Sequence, residues 1–138
     1  MQYLRKRSEF LAVSRLGYKA RRACLSLHRA DIAALKRSKR SRRVSGDSVD
    51  ARLRVGFTVT KKVGTATERS RVRRRLREAF KSLSSASNAG SWLKGAYVVF
   101  GRRDTLHTPF SVLVLELKSA AKQLTRRLRQ GVLPKTYA

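Results

Sequence analysis

Hydrophobic residues recur along this chain with two periods, one of a helix and one of a strand, and the switches between them lay out its elements. Ser8 precedes Glu9, Phe10, Leu11 and Val13, which predicts a short helix with Ser8 as N-cap and Gly17 as C-terminal cap. From Ala23 to His28 the period becomes two, with Leu25 and Leu27 on one face and Ser26 and His28 on the other, the pattern of a half-buried strand. Arg52 to Thr60 alternates in the same way, Val55, Phe57 and Val59 standing opposite Gly56, Thr58 and Thr60. Paired, the two strands would present Ser26, His28, Thr58 and Thr60 on a flat, hydroxyl-rich face. Such a face suits an extended polynucleotide, although a merely solvated sheet is the commoner origin of alternating Ser and Thr.

Between these strands, Ile32 to Asp50 carries Lys36, Arg37, Lys39, Arg40, Arg42 and Arg43 among serines with no sustained apolar period. It reads as a long, mobile, basic loop, equally consistent with a solvated insertion and with an RNA contact. Ala66 to Leu83 returns to helical spacing, its stripe formed by Val72, Leu76, Ala79, Phe80 and Leu83. At about 100° per residue, Ser70, Arg73, Arg74 and Arg77 gather on one flank of that stripe. Ser82 to Ser91 is a connection, and Tyr97-Val98-Val99-Phe100 is an unbroken apolar run that predicts a central strand covered on both faces. Thr108-Pro109 then starts a last helix with the stripe Leu113, Leu117, Ala120, Ala121, Leu124 and Leu128, stopped by Gly131 and Pro134.

Charge sharpens this picture. Against 8 Asp and Glu stand 34 Lys and Arg, a formal net charge of +26, far more than solubility requires. With 41% hydrophobic residues the charge belongs on a folded scaffold, and 138 residues suit a single domain spanning 1–138, with the basic loop at about 32–50. A nucleic acid is the polyanion that best neutralises so many cations, because it releases counterions phosphate by phosphate. An anionic membrane surface is the weaker rival. No apolar run approaches the ~20 residues of a membrane span, and the start MQYLRKRSEF lacks a signal-peptide core, so a cytoplasmic location is expected. The single Cys24 has no partner for a disulfide or a zinc site and reads as a small buried hydrophobe on a strand.

Protein-borne catalysis finds little support. Glu9, Asp31, Asp47, Asp50, Glu68, Glu78, Asp104 and Glu116 make no DxD, ExxH or HExxH grouping, the two histidines lie far apart, and Gly56 and Gly64 are isolated glycines. The dense feature is instead Lys61 to Phe80, reading KKVGTATERSRVRRRLREAF, with eight cationic side chains. Arginine predominates in its helical part, where a planar five-donor fork can clamp a phosphate bidentately.

This segment closely resembles the signature of bacterial ribonuclease P proteins, Lys-Lys-x-Gly-Asn-Ala-x-x-Arg-Asn-Arg-x-Lys-Arg-x-x-Arg-Glu-x-Phe. Lys61, Lys62, Gly64, Ala66, Arg69, Arg71, Arg74, Arg77, Glu78 and Phe80 match it, and Arg73 replaces a lysine. Thr65 and Ser70 stand where the family has asparagines, so any contact that needs an amide is in question. Leu4 to Phe10 is similar to the family's opening helix, and Gly17 to His28 to its first strand.

The resemblance implies an α+β fold, a single α/β sandwich of the kind shared with the second domain of a small-subunit ribosomal protein. It would have three helices, a mainly four-stranded sheet and a left-handed β-α-β crossover that the usual right-handed preference would never suggest. It further implies a protein subunit of ribonuclease P that binds the catalytic RNA and the 5′ leader of precursor tRNA and promotes leader removal, with the hydrolysis itself carried by RNA and Mg²⁺ held mainly by that RNA. By position, Lys61, Lys62, Arg69, Ser70, Arg71, Arg73, Arg74 and Arg77 are the expected contacts to the catalytic RNA. Phe10, Ser14, Ser26, His28, Thr58 and Thr60 are the expected lining of a leader cleft, no residue is expected to be catalytic or to ligate metal, and Phe10 would serve equally well as a core residue. A structural RNA binder without leader preference and a nuclease using its own carboxylates are the alternatives.

Overall fold

The computed structural model describes residues 2–30, 53–85, 93 and 95–129. The expected basic loop at about 32–50 and the stop signals Gly131 and Pro134 lie outside the described residues. The elements run β1 (Gln2–Tyr3), α1 (Arg7–Leu16), β2 (Tyr18–Arg21), β3 (Leu25–Ala30), β4 (Arg54–Thr58), α2 (Ala66–Ser84), β5 (Ala96–Gly101) and α3 (Phe110–Arg129). Short 3-10 turns at Lys61–Val63 and Arg103–Leu106 precede α2 and α3.

Four strands form a mixed sheet in the order β4-β5-β3-β2, and the two-residue β1 extends its β4 edge. The β4-α2-β5 unit joins parallel neighbours, whereas β3 lies antiparallel to both β5 and β2. Three helices on a mixed sheet is the α+β architecture expected.

Two cores explain the layers. On one face, α2 and α3 bury their predicted stripes: Val72, Leu76, Ala79, Phe80 and Leu83 from α2, and Leu113, Leu117, Ala120, Ala121 and Leu124 from α3. They meet Leu25, Leu27, Val55, Tyr97 and Val99 of the sheet. At about 1.5–3 kcal/mol for each fully buried large side chain, this layer carries most of the hydrophobic stabilisation. On the other face, α1 sets Ala12 and Val13, with Leu4 just before it, against Ala30, Ala96 and Val98. Strand β5 is thus covered on both sides, as its unbroken apolar run requires.

Several expectations give way here. The sheet face carrying Ser26 and His28 is not a free hydroxyl surface, because α1 packs over it; Ser26 is buried and His28 half-buried. The strand expected from Ala23 to His28 is one arm of a hairpin: β2 and β3 pair from Tyr18↔Arg29 to Arg21↔Ser26, and the Arg22 N–H closes the turn on the Leu25 carbonyl at 2.8 Å. Cys24 is buried as expected but sits in that turn rather than on a strand. Helix α1 begins two residues early, with Lys6 at the N-cap position and Ser8 inside the first turn. Gly17 ends α1 in an extended conformation, and its role is close approach: a Cβ there would come within 2.2 Å of the Arg29 carbonyl oxygen. The Thr108 hydroxyl donates to the Asp104 carbonyl at 2.7 Å instead of capping α3, in whose first turn the Pro109 carbonyl accepts the Val112 and Leu113 N–H groups.

Candidate nucleic-acid interface

The start of α2 is fixed by a capping box. Thr65 Oγ1 accepts the Glu68 N–H at 3.2 Å, and Glu68 Oε1 accepts the Thr65 N–H at 3.0 Å. That second bond, foremost, holds the Glu68 carboxyl below its ordinary pKa, with the nearby Arg103 guanidinium adding to it. Arg103 also donates to the Val63 carbonyl at 3.0 Å, so it ties the turn bearing Lys61 and Lys62 to the first turn of the helix. Gly64 leaves room for this clasp, because a Cβ would meet Glu68 Oε1 at 2.6 Å. Thr65, in place of an asparagine, therefore does a capping residue's work with its hydroxyl.

Burial of the apolar stripe decides which cations face outward. Lys61, Lys62, Ser70, Arg71, Arg74 and Arg77 are exposed, while Arg69 and Arg73 are half-buried. Arg75 is spent inside the fold, its guanidinium donating to the Thr108 carbonyl. The expected RNA-facing set is thus presented on and just before one helix, with the exception of Arg73, which turns elsewhere.

Arg73 enters a cleft of about 500 Å³ between the N-terminal segment and the open end of β4 and β5. Phe10, Leu11 and Ser14 of α1 form one wall, and Phe57, Thr58 and Val59 with Phe100 form the other. Arg5 and Arg7 stand with Arg73 around it. Phe10 reaches the cleft only because residue 56 is glycine: a Cβ there would lie 2.3 Å from the Phe10 ring. The ring is part core and part wall, packing on the α1-side core while lining the cleft.

Of the six expected cleft residues, Phe10, Ser14 and Thr58 line it. Ser26, His28 and Thr60 do not. Ser26 is buried and accepts Arg102 Nη2 at 2.9 Å. His28 lies behind the lining, its ring 4.4 Å from that of Phe100. Thr60 is exposed beyond the end of β4, at the start of the Lys61–Val63 turn. Burial, then the charges of Lys19 and Arg21, lowers the His28 pKa to about 4, so its imidazole is neutral near neutral pH.

Sequence reading missed Arg5, Arg7, Leu11, Phe57, Val59 and Phe100 as cleft residues. Phe57 and Phe100 carry the signal of core strands, and only the position of α1 reveals that each keeps an edge in the cleft. Aromatic rings flanked by three guanidinium groups can stack bases and bind phosphates at once, which suits a flexible polyanion with flat groups. Among the described residues no group of three or more His, Cys, Asp or Glu could hold a metal ion. No described helix is long and apolar enough to cross a membrane.

A basic α+β sandwich with an arginine-lined helix beside an aromatic cleft defines a class of protein with the surface chemistry to engage a polyanion. Within that class the chain belongs to the Ribonuclease P protein family, whose model matches residues 1–125. It is 41% identical over 136 residues to the Ribonuclease P protein component of Paramagnetospirillum magneticum, covering 98% of this chain and 86% of that one. It is 37% identical over 128 residues to the protein component of Bartonella quintana, covering 92% and 86%. Among solved structures it is similar to the RNase P protein of Staphylococcus aureus (TM-score 0.64, 18% identity, 89% of this chain and 94% of that one). The RNase P protein of Thermotoga maritima is likewise similar (TM-score 0.60, 23% identity, 91% and 97%). These last two likenesses speak to the fold. Family membership makes the chain a protein component of an RNA-processing endonuclease.

Proposed function

We propose that this chain binds the catalytic RNA of ribonuclease P through Lys61, Lys62 and the α2 arginines, and holds the single-stranded 5′ leader of precursor tRNA in the cleft beneath α1. The observation that carries the reading is the separation of the two basic surfaces. Arg71, Arg74 and Arg77 face outward from α2, whereas Arg5, Arg7 and Arg73 surround a cleft floored by phenylalanines. A folded RNA with a fixed array of phosphates suits the first surface, and an unpaired strand with exposed bases suits the second.

Hydrolysis falls to the RNA and its Mg²⁺, a hard, water-retaining ion that phosphate oxygens hold well. The protein's part is to raise affinity for the precursor and, by neutralising phosphate repulsion, to let the RNA fill its metal sites at lower Mg²⁺. The test compares precursor with leaderless tRNA binding to the assembled ribonucleoprotein. Phe10→Ala should lower precursor affinity while leaving leaderless tRNA binding and assembly with the catalytic RNA nearly unchanged. Equal losses on all three would make Phe10 a packing residue alone and count against a leader cleft. A ribosomal-type RNA binder would show no difference between the two substrates.

A further inference from the structure

Cross-strand rows organise the side of the sheet that faces α1. Register sets Thr58 of β4 opposite Phe100 of β5, Phe100 opposite Ser26 of β3, and Ser26 opposite Arg21 of β2. The neighbouring row runs Gly56, Val98, His28 and Lys19. Residues directly opposite each other share a face, so both rows lie on the α1 side. Phe10 and the core beneath α1 close the second row at Gly56 and Val98. The first row is open at three of its four positions: Thr58 and Phe100 are half-buried and Arg21 is exposed. Ser26 is buried, and the group hydrogen-bonded to it is Arg102, half-buried itself. A guanidinium therefore lies along this row, between the Phe100 ring and the β2 edge.

The edge itself is basic. Lys19 and Arg21 are exposed, and among the described residues neither is ion-paired. Their neighbour Arg22 differs, its Nε 3.5 Å from the Glu116 carboxylate and its Nη2 donating to Gln123 at 2.6 Å. Lys19 and Arg21 both act on His28 across the sheet, so their field reaches inward along it.

We propose that the cleft is one end of a longer track, in which a single RNA strand leaves the cleft over Phe100, passes Arg102 and ends on Lys19 and Arg21 at the β2 edge. This inference rests on the leader reading given above and extends it to a second, distal subsite. Three strand spacings separate β4 from β2, about 14 Å, which is room for a few nucleotides beyond the cleft. Phe100 offers a ring for a base, and Arg102, Arg21 and Lys19 offer donors for successive phosphates. Charge complementarity and direct continuity with the cleft favour this occupant over a separate partner.

The test uses the assembled ribonucleoprotein and precursor tRNAs whose leaders lengthen stepwise, with the unaltered protein and the double variant Lys19→Ala/Arg21→Ala. Both side chains are exposed, and the Arg127 bond in this region goes to the Lys19 backbone carbonyl, so the fold should survive the change. With short leaders the two proteins should bind alike. As the leader lengthens, the unaltered protein should keep gaining affinity after the variant has stopped. For long leaders the slope of log affinity against log salt should shrink by about 0.7 for each phosphate left without its cation, about 1.4 for the pair. Unchanged binding at every length overturns the track, and so does an equal loss at every length, which would mean general electrostatic attraction. Loss of assembly with the catalytic RNA overturns it as well and assigns the edge to that RNA. If the unaltered protein shows no leader dependence at all, the cleft reading itself fails and the track falls with it.

Discussion

The imidazole of His28 is held between the ring of Phe100 and the charges of Lys19 and Arg21, and its pKa of about 4 lies below the ordinary 6.5. Between those two values the unfolded chain binds a proton that the folded chain refuses. Stability is therefore full above pH 6.5 and declines as the pH falls toward 4. His28→Phe keeps a ring against Phe100 and removes this titration. Denaturant unfolding at neutral pH and at about pH 5 should show the unaltered protein losing more stability on acidification than His28→Phe. Equal losses would mean that the His28 proton has no part in it. Phe10 shows a different economy at the same scale: its ring packs on the core and still lines the cleft, so packing does not remove it from the site.

Elements were legible wherever a long apolar stripe met a matching period. The stripes of α2 and α3 and the buried run of β5 lie where their residues said they would. The β2–β3 reversal was not, because Arg22, Ala23 and Cys24 contain none of the usual turn residues, and the two residues of β1 are too few to show a period. Only three of the ten residues that line the cleft were legible as cleft residues. Phe10, Ser14 and Thr58 were found through resemblance, whereas Phe57 and Phe100 look like core until α1 is placed across the sheet. The capping box of α2 offers an element-scale prediction. Thr65→Ala should cost about 1 kcal/mol of stability in denaturant unfolding, whereas Thr65→Asn should cost far less, since an asparagine caps as well. Equal stability of the alanine variant would show that the Thr65–Glu68 clasp does not hold the helix start.

Across the whole molecule, the described lysines and arginines are sorted by the fold into those that hold it together and those that face outward. Arg29 donates to Thr125 at 2.6 Å beside the Tyr97 ring, and Arg75 closes on the Thr108 carbonyl. Arg71 and Arg74 are exposed and carry no such duty. Replacing both with alanine should leave thermal stability nearly unchanged but weaken assembly with the catalytic RNA, and should reduce its salt slope by up to about 0.9 for each phosphate no longer neutralised. An unaltered slope would remove α2 from the RNA interface. Precursor tRNA cleavage at low Mg²⁺, measured with catalytic RNA alone, with this protein alone and with both, decides whether the chain serves ribonuclease P. Processing of the 5′ end should need the RNA and be strongly stimulated by the protein. Cleavage by the protein alone, or no stimulation when both are present, would contradict that role.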